Sequence, residues 1–212
     1  MRKYVILSAL LTATIVAPAS ANLLVNGGFE TGDLTGWTHY QDGWGGGVSS
    51  AVGGDGDATL WNPTDRTPEG NYSARVTDGN SGSGGIYQVV DTSALIGQTI
   101  NLQGLVHTGR NSSSNWQDGW HEFGVMPGTN TNPNAGTAIV LYKRDSGAAD
   151  EWVAVDLPFS VTTPTVTVFA KVGAVNSVPV ATWIDAAVLT PEPATLALLG
   201  IPMLLFRRRR HA

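Results

Sequence analysis

Between Thr165 and Val172 the chain alternates with a period of two. Val166, Val168, Ala170 and Val172 fall on one side, and Thr165, Thr167, Phe169 and Lys171 on the other. Successive residues of a β-strand point to opposite faces, so this run reads as a strand and not as a helix face. The same period recurs elsewhere. Tyr72, Ala74 and Val76 alternate with Ser73, Arg75 and Thr77. Ile100, Leu102 and Val106 alternate with Asn101, Gln103 and Leu105, while Val153, Val155, Leu157 and Phe159 share one side. Shorter runs at Leu23 to Phe29, Gly85 to Val90, His121 to Met126, Thr137 to Tyr142 and Pro179 to Leu189 bring the expectation to about nine or ten strands. Clusters of Gly, Ser, Asn and Asp separate them, as turns require. Gly43 to Gly56 and Ser112 to Gly119 read as loops. Helical periodicity is nearly absent between Asn22 and Thr190. Many short strands joined by glycine-rich turns make an all-β fold, a sandwich or jelly roll.

The two ends are built differently. Arg2 and Lys3 precede an apolar run from Tyr4 to Val16, and Ala19-Ser20-Ala21 supplies a small-x-small cleavage signal. This is the build of a secretory signal peptide over residues 1–21, which implies the Sec export machinery as a partner and a mature start near Asn22. At the other end Pro191-Glu192-Pro193 precedes the apolar segment Ala194 to Phe206, and Arg207, Arg208, Arg209 and Arg210 follow. That segment is shorter than the ~20 apolar residues of a spanning helix. Pro202 inside it removes a helical hydrogen bond. The arginines would hold the extreme C-terminus on the cytoplasmic side. The three-part order over residues 191–212 resembles the PEP-CTERM sorting signal of exported Gram-negative proteins. That resemblance implies an exosortase as partner, a transient stay in the inner membrane, cleavage near Pro-Glu-Pro, and a final place in the cell envelope or extracellular matrix. A plain C-terminal anchor is the alternative.

The body between these ends, residues 22–190, is long enough for one core. It holds six of the chain's 12 Lys and Arg against 16 of its 17 Asp and Glu, a net charge of about −10. Such a body lacks the basic surface that nucleic-acid binding needs. The chain has no cysteine, so disulfides cannot staple this exported domain. A metal could take their place.

The opening Asn26-Gly27-Gly28-Phe29-Glu30, followed by Gly36-Trp37, and the closing Trp183-Ile184-Asp185 resemble the first and last strands of galactose-binding-like jelly rolls. Many carbohydrate-binding modules belong to that group. The resemblance implies a structural calcium joining the two strands, here through Gly28 (carbonyl), Glu30 and Asp185, with a further ligand from Thr67 to Asn71. Oxygen donors of this mixed kind suit calcium; solvated carboxylates that cap turns are the alternative.

Sugar sites use aromatic rings as platforms beside amide and carboxylate groups. Trp37, Trp152 and Trp183 fall in strand patterns and read as core or sheet-face residues. Trp44, Trp61, Trp116 and Trp120 lie in or beside loops, near Asp42, Arg66, Arg110, Asn115, Gln117 and Asp118. These four tryptophans and Arg110 are the candidate glycan contacts, unless each folds back over the edge of the core. Catalytic signatures are missing: there is no HExxH, GxSxG or metal-spaced histidine cluster among His39, His107, His121 and His211. His121 and Glu122 are neighbours on a strand pattern and face opposite sides. The sequence therefore reads as a non-enzymatic exported protein that binds or organises extracellular polysaccharide. A structural matrix or adhesion protein without a glycan pocket is the runner-up, and a glycan-active enzyme with paired carboxylates a third reading.

Overall fold

The computed structural model describes residues 21–43, 49–53, 67–78, 82–108, 119–145, 151–174 and 180–192. These contain ten strands: β1 (Thr38–Gly43), β2 (Ser49–Gly53), β3 (Tyr72–Asp78), β4 (Gly82–Asp91), β5 (Thr99–Thr108), β6 (Gly119–Pro127), β7 (Val140–Asp145), β8 (Trp152–Ser160), β9 (Thr165–Ala174) and β10 (Val180–Pro191). A single 3-10 turn, Ser93–Leu95, joins β4 to β5. Among the described residues the strands form two five-stranded sheets, ordered β1-β4-β9-β6-β7 and β2-β3-β10-β5-β8. Every ladder is antiparallel. This is the all-β jelly-roll sandwich that the alternation required.

The alternation decides which face of each sheet is dry. Ile86, Val90, Phe123, Val125, Val166, Val168, Ala170 and Val172 point inward from the first sheet. Ala74, Val76, Ile100, Leu102, Val106, Val155, Phe159, Ile184, Ala187 and Leu189 meet them from the second. Fully burying each large aliphatic or aromatic side chain contributes about 1.5–3 kcal/mol. Pro158 sits in β8, an edge strand, where a residue without N–H does least harm to a ladder.

One polar contact bridges the dry layer. His121 of β6 and Thr182 of β10 meet with Nδ1 and Oγ1 3.0 Å apart. Thr182 donates its only hydroxyl proton to the His107 carbonyl at 3.2 Å. His121 must then donate to Thr182, which fixes the neutral ring with its proton on Nδ1. Burial, with the charges of Arg144 and His107, pushes the His121 pKa down to about 4. As expected from strand parity, Glu122 beside it faces out, where Lys171 pairs with it.

The opening segment differs from its expectation. Leu23 to Phe29 forms no ladder strand but a series of turns, with Asn26 and Phe29 at positive φ (52° and 57°). Left-handed backbone of this kind cannot continue a strand. The segment still lies along β10. Leu23 N–H donates to the Leu189 carbonyl, Ala187 N–H to the Gly27 carbonyl, and Asn22 joins both with its side-chain amide. It takes the flank of β10 that β3 leaves after Ile184. There β10 carries a one-residue bulge between Asp185 and Val188, with Ala186 at φ 49°. The last strand runs one residue past the expected domain limit, to Pro191 opposite Ile100, and Glu192 N–H donates to the Thr99 carbonyl.

Candidate functional site

The outward face of the first sheet carries a pocket of about 430 Å³, lined by Asp42, Gly82, Ser83, Trp120, Glu122, Asn134 and Lys171. Its volume falls in the range of small-ligand sites, roughly 300–1,000 Å³. Strand register assembles it. Asp42 of β1 stands opposite Ser83 of β4, Ser83 opposite Gly173 of β9, and Gly173 opposite Trp120 of β6. The next outward row runs Tyr40, Gly85, Lys171, Glu122, Lys143.

The glycine in the first row has a mechanical reason. A methyl group added at Gly173 would overlap the Trp120 indole, so the ring lies directly against the bare backbone of β9. A ring held against strand backbone has little conformational freedom left to lose and can serve as a platform. We expect Gly173→Ala to lift the indole, keep the fold, and weaken binding of a ligand seated in this pocket by about tenfold, or ~1.4 kcal/mol. Titration calorimetry beside a thermal melt checks this; unchanged affinity would remove the platform from the site.

Residues 128–139 cross over the sheet as a strap. Gly128 N–H donates to the Thr165 carbonyl, Asn130 N–H to Thr167 Oγ1, and Ile139 N–H to the Val125 carbonyl. Within the strap Asn132 N–H donates to Asn130 Oδ1, and Asn134 N–H to Asn132 Oδ1, a relay of Asx turns. The relay delivers Asn134 to the pocket, where its Nδ2 donates to Asp42 Oδ2 at 3.3 Å and also to Ser83 Oγ. Below the strap Thr167, Phe169 and Met126 are buried although they face away from the core. Lys171 is 8% exposed and holds Glu122 Oε2 at 2.9 Å and the Pro133 carbonyl at 3.0 Å. Its ammonium also lies 5.1 Å from the Trp120 ring centroid.

A second cluster joins the opening turns to the bulge of β10. The Glu30 carboxylate accepts the Asn71 N–H (2.9 Å), the Tyr72 N–H (3.0 Å) and Asn71 Nδ2 (3.1 Å). Those amides of Asn71 and Tyr72 hold its pKa below the usual carboxylate value. Asp185 is fully buried. It accepts the Glu69 N–H at 3.2 Å and its neighbour Ala186 N–H at 2.6 Å. Burial pushes its pKa up to about 6, and the charges of Glu30 and Glu69 add to the rise. No set of three His, Cys, Asp or Glu with metal-site geometry occurs among the described residues.

The structure therefore brings Trp120 to the pocket and brings Glu30 and Asp185 within electrostatic reach of each other. Gly28 lies in the same opening turns as Glu30. Trp44, Trp61, Trp116 and Arg110 lie outside the described residues, as do Ala19, Pro193 and Arg207 to Arg210; Ala21, Pro191 and Glu192 lie within them. Trp44 directly follows the last residue of β1, and Trp116 precedes the first residue of β6 by three. Trp37 and Trp183 are buried, as their strand positions implied. Sequence reasoning missed Asn134, Ser83 and the pocket role of Lys171. One signal was present: Lys171 is the only charge in β9.

No family model matches the chain, and no curated protein matches it by sequence. Solved structures do share its fold. TmCBM61, solved in complex with β-1,4-galactotriose, aligns with a TM-score of 0.55 and 18% identity, over 82% of this chain and 100% of its own. The enzymatically active domain of bacteriophage CBA120 tailspike protein 4 aligns with a TM-score of 0.54 and 13% identity, over 81% of this chain but 21% of its own. The chain thus has the β-sandwich fold found in carbohydrate-binding modules.

Proposed function

We propose that the domain is a non-catalytic glycan-binding module of an exported protein. The observation that supports this best is the pocket on the first sheet. It places an indole against Gly173 beside the hydroxyl of Ser83, the amide of Asn134 and the carboxylate of Asp42. An apolar ring beside convergent hydroxyl, amide and carboxylate groups matches a sugar, whose ring faces are apolar and whose rim is polar. The likeness in fold to a galactotriose-binding module supports the same reading. Two carboxylates line the pocket, and the pairing of Glu122 with Lys171 supports the non-catalytic half of the reading. A ligand that binds only the folded state raises the melting temperature by mass action. Melting the domain against a panel of polysaccharides, with a reducing-end assay for hydrolysis, tests both halves. A shift without cleavage is expected; no shift, or cleavage, refutes the corresponding half.

The cluster of Glu30 and Asp185 is the proposed calcium site, with Gly28 giving a carbonyl. Its donors are hard oxygens, as calcium prefers. Asp185 is buried, and neighbouring carboxylates add to the cost of its charge. A cation there would offset that cost and tie the opening segment to β10.

The ends of the chain extend this reading. Residues 1–21 direct export, and residues 191–212 act as an exosortase-read address that holds the protein briefly in the inner membrane before it reaches the envelope or matrix. Among the described residues no helix is long and apolar enough to cross a membrane, and Ala194 to Phe206 lies outside them. Replacing Pro191, Glu192 and Pro193 by alanine should keep the protein in the membrane fraction. Unchanged secretion would refute the sorting role.

A further inference from the structure

We propose that this pocket takes an uncharged, hydroxyl-rich glycan and rejects glycans bearing carboxylate, sulfate or phosphate, because its lysine is an internal strut and not a ligand-binding cation. The proposal rests on the glycan-binding reading above and specifies the ligand of that site. Lys171 is the only cation lining the pocket among the described residues. An ammonium has three protons to give. Three acceptors surround this one: Glu122 Oε2 at 2.9 Å, the Pro133 carbonyl at 3.0 Å and Asn134 Oδ1 at 3.5 Å. The aromatic rings of Trp120 and Phe169 close its remaining sides, at 5.1 and 5.4 Å. Turning the ammonium toward a ligand would strip Glu122 of its nearest partner and cost the strap its bond at the Pro133 carbonyl. Leaving a half-buried carboxylate without its partner costs more than one exposed ion pair returns. Lys143 lies beyond Glu122 on β7, 3.9 Å from it.

What stays available to a ligand has the other sign. The Asp42 side chain is exposed and takes one long bond from Asn134. Ser83 Oγ accepts from Asn134 Nδ2, which leaves its own hydroxyl proton to give. A sugar hydroxyl can donate to Asp42 and accept from Ser83. A uronate, sulfate or phosphate group would meet Asp42 with like charge, in a body whose net charge is about −10.

The test is a binding titration of the full β-sandwich with matched polymers in chelator, so that a divalent cation cannot bridge. The probes are polygalacturonan in its methyl-esterified and de-esterified forms, together with neutral β-galactan and xylan. The neutral probe that binds should do so at least tenfold more tightly than any acidic one. Its affinity should change less than about twofold between 50 and 500 mM NaCl, because no counterion is displaced. Asp42→Asn should narrow the preference several-fold. Lys171→Met, which keeps the apolar stem, should not narrow the preference, because the Glu122 charge it unpairs repels an acidic ligand as Asp42 does. Preferential binding of the acidic form, lost in Lys171→Met and in high salt, overturns the strut proposal while leaving the glycan site standing. Binding to none of the probes refutes the glycan reading, and the selectivity falls with it.

Discussion

Trp120→Ala should reduce glycan affinity at least 30-fold while the domain still melts as one cooperative unit. The indole is half-buried, lies against Gly173 and borders the pocket on the β6 side. Removing a ring that makes a central contact costs about 2 kcal/mol or more, and each 1.4 kcal/mol is tenfold in affinity. The fold should survive because Trp120 faces away from the sandwich core, which holds Phe123 and Val125 from the same strand. Trp120→Phe keeps a smaller platform and should fall between the two. Calorimetry on the three proteins with one neutral oligosaccharide decides the matter. Wild-type affinity in the alanine variant would move the site elsewhere on the molecule.

Asp185→Asn should raise the melting temperature in chelator at pH 7 and erase any response to calcium. The sign follows from the direction of the shift. Burial holds the Asp185 pKa at about 6, above its ordinary 3.8. The folded state therefore binds the proton more tightly than the unfolded chain does. Its favourable contribution is complete below about 4 and is lost as pH rises through 6. At pH 7 the buried charge costs about 1–2 kcal/mol, a range that allows for screening by solvent. His121 acts in the opposite sense. Its folded pKa is about 4, below the ordinary 6.5, so its contribution is complete above 6.5 and fades as pH falls toward 4. Between pH 6 and 4 the two effects oppose in the wild type. In Asp185→Asn the opposition ends, and the melting temperature should fall more steeply with acid. Melts from pH 4 to 8, with calcium and with chelator, test both arms. A calcium shift that survives in the variant would place the metal elsewhere.

The strands that were legible in the sequence are the ones that bury a full face. β9 shows its period because Val166, Val168, Ala170 and Val172 all enter the core. β1 and β2 were not legible as strands. They lie at sheet edges with sequences THYQDG and SSAVG, and β2 falls inside a glycine-rich stretch that reads as loop. The opening run failed the other way. Leu24 and Phe29 are buried as strand residues would be, but Asn26 and Phe29 at positive φ break the ladder. Trp120 could be named from sequence because an aromatic beside a loop is visible one residue at a time. Asn134, Ser83 and Lys171 could not, because only the register of β4, β9 and β6, and a relay of three asparagines, bring them together.

β10 has neighbours along both flanks: β5 on one side, and β3 followed by the opening segment on the other. It ends at Pro191, so a pull on the chain beyond Glu192 acts along the axis of this strand. Hydrogen bonds in antiparallel ladders run perpendicular to the strands. Tension applied there loads both ladders sideways and together, instead of peeling them open one bond at a time. A domain tethered at this end, with a polymer drawing on the opposite sheet, would resist tearing through many bonds sharing the force.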